Sequence, residues 1–363
     1  MRMRNSVALF FCAALLLGGS ACSSDDDNTT ADTTDTGETN PDPIEVSSCS
    51  SSTGMEKIIC LSDAFKTQLT SSQLAAAQRT YTTSEAMKWS NFPEALYGQR
   101  VGLDFGSMTS TQIQYAKALL KEIAGTSDNE GWDELQKLLN ADEYLKENGG
   151  GSDYGAANYY IAFLGTPAAT GTFEIQYGGH HVAFANTYTD GVLVGATPSF
   201  RGIEPFSAFE WNGETNQPLV QEKDALSAML TALSSDQLTS AKLASTFSDL
   251  VAGPQKDANF PTTPSGVKGG DLSSEQKDLI LTAIKTYVED VEDAEAILTK
   301  YTTELDDTYI AYSGTTGLTT TNDYVRIDGP SVWIEYSCQR GVVLSGTHPH
   351  SVWRDKLTDY GGN

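Results

Sequence analysis

Histidine is the scarcest of the chemically versatile residues in this chain: 363 positions hold four. Positive charge is also short, with 23 Lys and Arg against 48 Asp and Glu and a net charge of -25. That balance argues against nucleic acid or an anionic membrane surface as the main partner. The sequence has no P-loop, no dinucleotide fingerprint, no nucleophile elbow and no His-Glu-x-x-His, so it carries no signature of nucleotide, dinucleotide or zincin chemistry. Serines are abundant but none stands in a diagnostic setting, and Gly149-Gly-Gly151 reads as a flexible loop rather than a phosphate cradle. The one long apolar run, Val7 to Leu17, is about 11 residues and too short to span a bilayer.

That run belongs to a targeting segment. Arg2 and Arg4 supply a positive start, and small residues from Gly18 lead to Cys22. The arrangement resembles a bacterial lipoprotein signal, with residues 1–21 removed and Cys22 lipidated. The acidic run Asp25 to Asp27 is like the surface-export signal of some outer-membrane lipoproteins. The expected location is therefore the cell envelope, on the outer membrane, with the lipid anchor as the only membrane contact. Residues 22–46 are mostly Asp, Thr, Ser, Asn and Pro, a composition that cannot bury enough surface to order itself, and read as a tether. Cys12 would leave with the signal. Cys49 and Cys60 are 11 residues apart and are expected to form a local disulfide in an oxidising compartment. Cys338 is left as a small buried residue on a strand.

Four helix starts share a capping box, Ser or Thr followed three residues later by Gln: Thr70, Thr109, Ser234 and Ser273. Within each pair the glutamines are 39 residues apart, and each pair encloses a Phe-Pro step, Phe92-Pro93 or Phe260-Pro261. Tyr160-Ile-Ala-Phe163 echoes Tyr309-Ile-Ala-Tyr312. Gly191 to Thr197 aligns with Gly341 to Thr347 at an offset of 150 residues (341 − 191 = 150). The predicted fold is α+β, with two pseudo-repeats (47–221 and 222–363) in one compact domain, each of helices followed by a short antiparallel meander. Strands are expected at Thr172–Tyr177, His181–Thr187 and Val192–Thr197, then Tyr324–Ile327, Val332–Ser337 and Val342–Thr347.

All four histidines fall in two short motifs, Gly178-Gly-His-His-Val182 and Thr347-His-Pro-His-Ser351. On an extended backbone His348 and His350 face the same way, and Pro349 stiffens them. His180 and His181 are neighbours, so one is expected to join an ion and the other to serve the second shell or a substrate. On the alignment the two pairs are not equivalent, so a site needing three imidazoles requires both halves. Three imidazoles with an open position suit Zn, and imidazole also suits Cu. A metal-free polar cluster and purely structural histidines are the other readings. Glu335, Glu204 and Asp355 are candidates for base, fourth ligand or orienting carboxylate. Arg354, Arg201 and Trp353 are candidates for holding a small, anionic substrate. Metal-assisted hydrolysis is the first expectation, copper-dependent oxidation the second, and a non-catalytic metal- or small-molecule-binding lipoprotein the alternative.

The motifs Tyr177 to Val182, Thr197-Pro-Ser-Phe-Arg-Gly-Ile-Glu-Pro205, Val325 to Pro330, Val332 to Tyr336, His348 to Asp355 and Asp359 to Gly361 resemble a bacterial family known as domain of unknown function 3500. Pro349 stands where that family usually has an aliphatic residue, and Lys356 where it usually has Pro. The resemblance supports the choice of site and implies no particular reaction.

Overall fold

A computed structural model of the chain describes residues 40–362. The leader, Cys22 and most of the expected tether therefore lie outside the described residues. Within the tether, Asn40 bonds Asn140, and the Ile44 amide donates to the Gln114 carbonyl. Cys49 and Cys60 are joined, with Cα atoms 5.7 Å apart.

The chain is mixed α and β. Helices α1 (Gly54–Thr67) and α2 (Ser71–Ala77) precede the short strand β1 (Gln78–Arg79), α3 (Thr83–Ala86) and β2 (Leu103–Asp104). Next come α4 (Ser110–Ile123) and α5 (Gly131–Leu145). Strands β3 (Tyr160–Leu164), β4 (Thr172–Gly178), β5 (Val182–Thr189), β6 (Val192–Gly195) and β7 (Ser199–Gly202) follow, then a hairpin of β8 (Phe209–Trp211) and β9 (Glu214–Asn216). Helices α6 (Val220–Thr231) and α7 (Ser235–Ala241), strand β10 (Val267–Lys268), and helices α8 (Ser274–Val288) and α9 (Glu295–Thr303) lead to four last strands. These are β11 (Tyr309–Ser313), β12 (Tyr324–Asp328), β13 (Val332–Arg340) and β14 (Thr347–Asp355).

All four capping boxes form, at Thr70, Thr109, Ser234 and Ser273. A cap of this kind stabilises a helix by about 1 kcal/mol. The 39-residue spacing has a further use: the amide groups of Gln73 and Gln112 bond reciprocally at 3.1 Å, and those of Gln237 and Gln276 at 2.8 and 3.2 Å. Each pair of helix starts is thereby tied together.

One twelve-stranded sheet runs β1-β3-β4-β5-β7-β14-β13-β12-β11-β10, with β2 beside β3 and β6 beside β5. Its main ladders are antiparallel; β1 pairs β3 in parallel. The strands before residue 203 and those after residue 308 therefore meet at the β7–β14 pair. On one face Ile161, Ile175, Tyr177 and Val182 pack with α1, α4 and α5, while Ile327, Ile334, Tyr336 and Trp353 pack with α6, α8 and α9. The other face is covered by irregular chain: Trp89, Val101, Leu250 and Tyr360 pack on Ala183, Phe200 and Val352.

The last strand departs from expectation. Residues 342–346 form no strand, and β14 occupies Thr347–Asp355 instead. Val342, Val343 and Leu344 have strand-forming side chains, but the Val343 and Leu344 amides donate to Glu204 Oε1 at 2.8 and 2.5 Å. The segment is closed by the Gly341 amide on the Gly346 carbonyl, with Gly346 at φ +118. His348 and His350 consequently lie near the start of a strand, not just past the end of one.

A candidate metal centre at the junction of β5, β7 and β14

The register places His350 opposite Gly202, and the Gly202 amide donates to the His181 carbonyl at 2.8 Å. Gly202 has to be glycine for a steric reason: a Cβ there would lie 2.7 Å from His181 Cδ2 and 3.0 Å from His350 Cδ2. The missing side chain opens the space that the imidazoles fill. His181 turns the chain into β5 with φ +68, in the left-handed region that histidine visits more readily than most residues. His180 and His181 are thus in a turn and not on the strand, and their rings stack with centroids 3.5 Å apart.

Three ring nitrogens converge. His181 Nε2 is 2.6 Å from His348 Nε2, and His350 Nε2 is 3.1 Å from the same atom. Tetrahedral coordination at a Zn–N distance of about 2.0–2.1 Å sets ligand nitrogens roughly 3.3 Å apart, so small shifts would seat an ion. The three rings are 2–6% exposed. Burial first, then the neighbouring imidazoles, holds His348 down to about 2 and His181 well below the ordinary histidine range. Both are neutral at physiological pH, the state a metal ligand needs.

The outer nitrogens have their own partners. His350 Nδ1 lies 2.6 Å from Gln339 Nε2 and 3.1 Å from Asp249 Oδ1. His348 lies against the Arg340 backbone, and Glu204 Oε2 is 3.5 Å from its Nδ1. His180 stands apart from the triad: its Nδ1 bonds Asp142 Oδ1 of α5 at 2.6 Å. Asp142 is held in turn by the Gly155 amide at 2.9 Å. Tyr154 lies edge-on to the His180 ring, and the Tyr159 hydroxyl donates to the His180 carbonyl.

Of the other candidates, the structure brings Glu204 to the histidines, where it also latches the 341–346 loop. Glu335 shares the face of His350 but is committed elsewhere. Its carboxylate accepts from the Val251 and Ala252 amides, the Tyr324 hydroxyl and the Trp333 indole at 2.6–2.8 Å. Arg354 donates to Asp359, Asp257 and the Ala252 carbonyl, with the rings of Trp89, Phe260 and Tyr360 around its guanidinium. Asp355 accepts from Tyr301, Lys300 and the Leu357 and Thr358 amides. Trp353 is buried in the helix-side core and donates to Tyr301. Arg201, one residue from Gly202, points to the opposite face and pairs with Glu134 and Asp290.

Asp142 was not anticipated. A signal was present: Leu135, Leu138, Leu139, Asp142 and Leu145 fall on one helical stripe, and a carboxylate on a buried stripe calls for a partner. Asp249 and Gln339 reach His350 from segments with no motif to mark them.

A sequence model of the family described as a protein of unknown function, DUF3500, matches residues 51–362. The chain belongs to that family. No curated protein and no solved structure matches it. The DUF3500 match takes in all four histidines, Asp142, Glu204 and Asp249, and begins after Cys49.

Proposed function

We propose that this DUF3500 protein is a metal-dependent hydrolase of the cell envelope, carried as an outer-membrane lipoprotein on Cys22 and acting on a small molecule. The carrying observation is the convergence of His181, His348 and His350 through one nitrogen each, within 4.8 Å of one another, with no fourth protein ligand at that point among the described residues. Zn is the favoured ion and Cu the second, since three imidazoles suit both. Such an ion lowers the pKa of a bound water toward neutrality. His180 is the general base beside it, its tautomer fixed by Asp142 through Nδ1 so that Nε2 is free to take a proton. Glu204 holds the 341–346 loop beside His348.

Supporting the expected duplication, the order β3-β4-β5-β7 is mirrored by β11-β12-β13-β14, and Arg201 pairs with Ser351, the residue 150 positions later. We take the halves as pseudo-repeats, with the site made where they meet. The burial of all four rings favours the second reading, a lipoprotein that binds a metal without turnover.

Metal content by mass spectrometry on chain purified without a histidine tag, beside a His348→Ala/His350→Ala double variant, tests the centre. Near-stoichiometric metal, lost in a folded variant, is expected. No metal in either after Zn and Cu reconstitution would overturn it. His180→Asn then separates the two readings: it should keep the metal and lose hydrolysis if His180 is the base.

A further inference from the structure

On the opposite, helix-covered face of β7, four carboxylates from three elements meet. Glu130 precedes α5, Glu134 lies in its first turn, Glu222 is in the first turn of α6, and Asp290 follows α8. One oxygen from each lies within 4.8 Å of the others, and none of the residues is more than 5% exposed. Arg201 is the cation among them, 2.8 Å from Glu134 Oε2 and 2.5 Å from Asp290 Oδ2. The Leu219 amide donates to Glu134 and the Gly131 amide to Asp290, at 2.9 and 2.7 Å.

These contacts leave the cluster unbalanced. Glu130 Oε2 is buried and accepts no hydrogen bond, and the fully buried Glu222 carboxylate has no partner beyond its own backbone amide. Against four carboxylates stand one guanidinium and the N-termini of α5 and α6, each worth about half a positive charge. About two negative charges remain, the charge of one divalent cation. An uncompensated buried charge costs several kcal/mol, so something must neutralise it. A route exists: a cavity of about 610 Å³, lined by Lys57, Lys121, Gly125, Glu130 and Trp132, reaches the cluster at Glu130.

We propose that Glu130, Glu134, Glu222 and Asp290 form a second metal site, for a hard divalent cation such as Ca²⁺, Mg²⁺ or Mn²⁺, which ties α5, α6 and the end of α8 together. The donors are all carboxylate oxygens, which suit hard cations, whereas the imidazoles across the sheet suit Zn or Cu. The competing neutraliser is protons, since burial and then mutual repulsion push Glu130 up to about 10 and raise Glu222.

The test is made on the full chain, both unaltered and with His348→Ala/His350→Ala, so that the outcome does not depend on the histidine centre. Thermal unfolding is followed with EDTA and with millimolar Ca²⁺, Mg²⁺ or Mn²⁺, together with Tb³⁺ emission sensitised through Trp132. The expected result is a midpoint raised by several degrees by at least one of the cations, and saturable emission at one Tb³⁺ per chain. Both should be lost in Glu222→Gln and weakened in Glu130→Gln. A midpoint indifferent to the cations in the unaltered chain, or a cation response undiminished in a folded Glu222→Gln chain, overturns the proposal. Stability that instead falls with rising pH, with no cation effect, identifies protons as the neutraliser.

Discussion

Glu335 separates a structural carboxylate from a catalytic one. Its Oε1 accepts from the Val251 amide at 2.7 Å and the Tyr324 hydroxyl at 2.6 Å; its Oε2 accepts from the Ala252 amide and the Trp333 indole at 2.8 Å. Glu335→Gln keeps the shape and turns one oxygen into a donor. The amide's least costly orientation puts its NH2 toward Tyr324, because a hydroxyl can reverse its hydrogen while an indole cannot. The Val251 amide is then opposed, and the two bonds at the remaining oxygen lose charge assistance. Hydrogen bonds to charged groups are worth about 1.5–3 kcal/mol each, so the variant should be destabilised by about 2–4 kcal/mol. Urea unfolding measures this, with metal content determined on the same samples. The reasoning predicts lower stability with metal retained. A variant within about 0.5 kcal/mol of the parent that has lost metal or turnover would refute it and return Glu335 to the active site.

Three further outcomes follow from the same structure. Burial raises the fully enclosed Glu174 to about 7, above its unfolded value, so its contribution is fully present below about pH 4.5 and is lost as pH rises through 7. Glu174→Gln should therefore stabilise the chain by roughly 3 kcal/mol at pH 8–9 and change little near pH 4, read by urea unfolding at both pH values. Replacing Cys49 and Cys60 by serine removes a short cross-link and should lower stability by about 3 kcal/mol, matched by reducing the parent. Gly202→Ala pushes a methyl group against His181 and His350 and should weaken metal binding on the order of tenfold or more in a competitive chelator titration.

The capping boxes were legible because they are local: four Ser/Thr-x-x-Gln patterns dictate four helix starts wherever those helices end up. Strands β4, β5, β12 and β13 were legible for the same reason, through β-branched and aromatic runs bounded by glycine, whereas β7 was not among the expected strands. The last strand was misplaced because Val342 to Leu344 have the right side chains, while the fate of their amides depends on Glu204, 140 residues away from Leu344. The histidines themselves stood out by scarcity. Their division of labour did not, since His181 enters the triad only because φ +68 swings it toward β14, while Asp142 claims His180. Arg354 and Asp355 had the residue types of a binding site but are used up in closing the C-terminal turn. Arg201 was a candidate anion contact, but pairing in the sheet, which sequence alone does not fix, sends it toward Glu134 and Asp290.

The central claim is that three imidazoles from two distant segments share one ion. X-ray absorption at the metal edge of chain loaded with one equivalent of Zn²⁺ tests it most directly. The account predicts three nitrogen neighbours at about 2.0–2.1 Å with imidazole scattering, falling to one in the His348→Ala/His350→Ala variant. A first shell of oxygens without imidazole scattering, unchanged by that substitution, would contradict it.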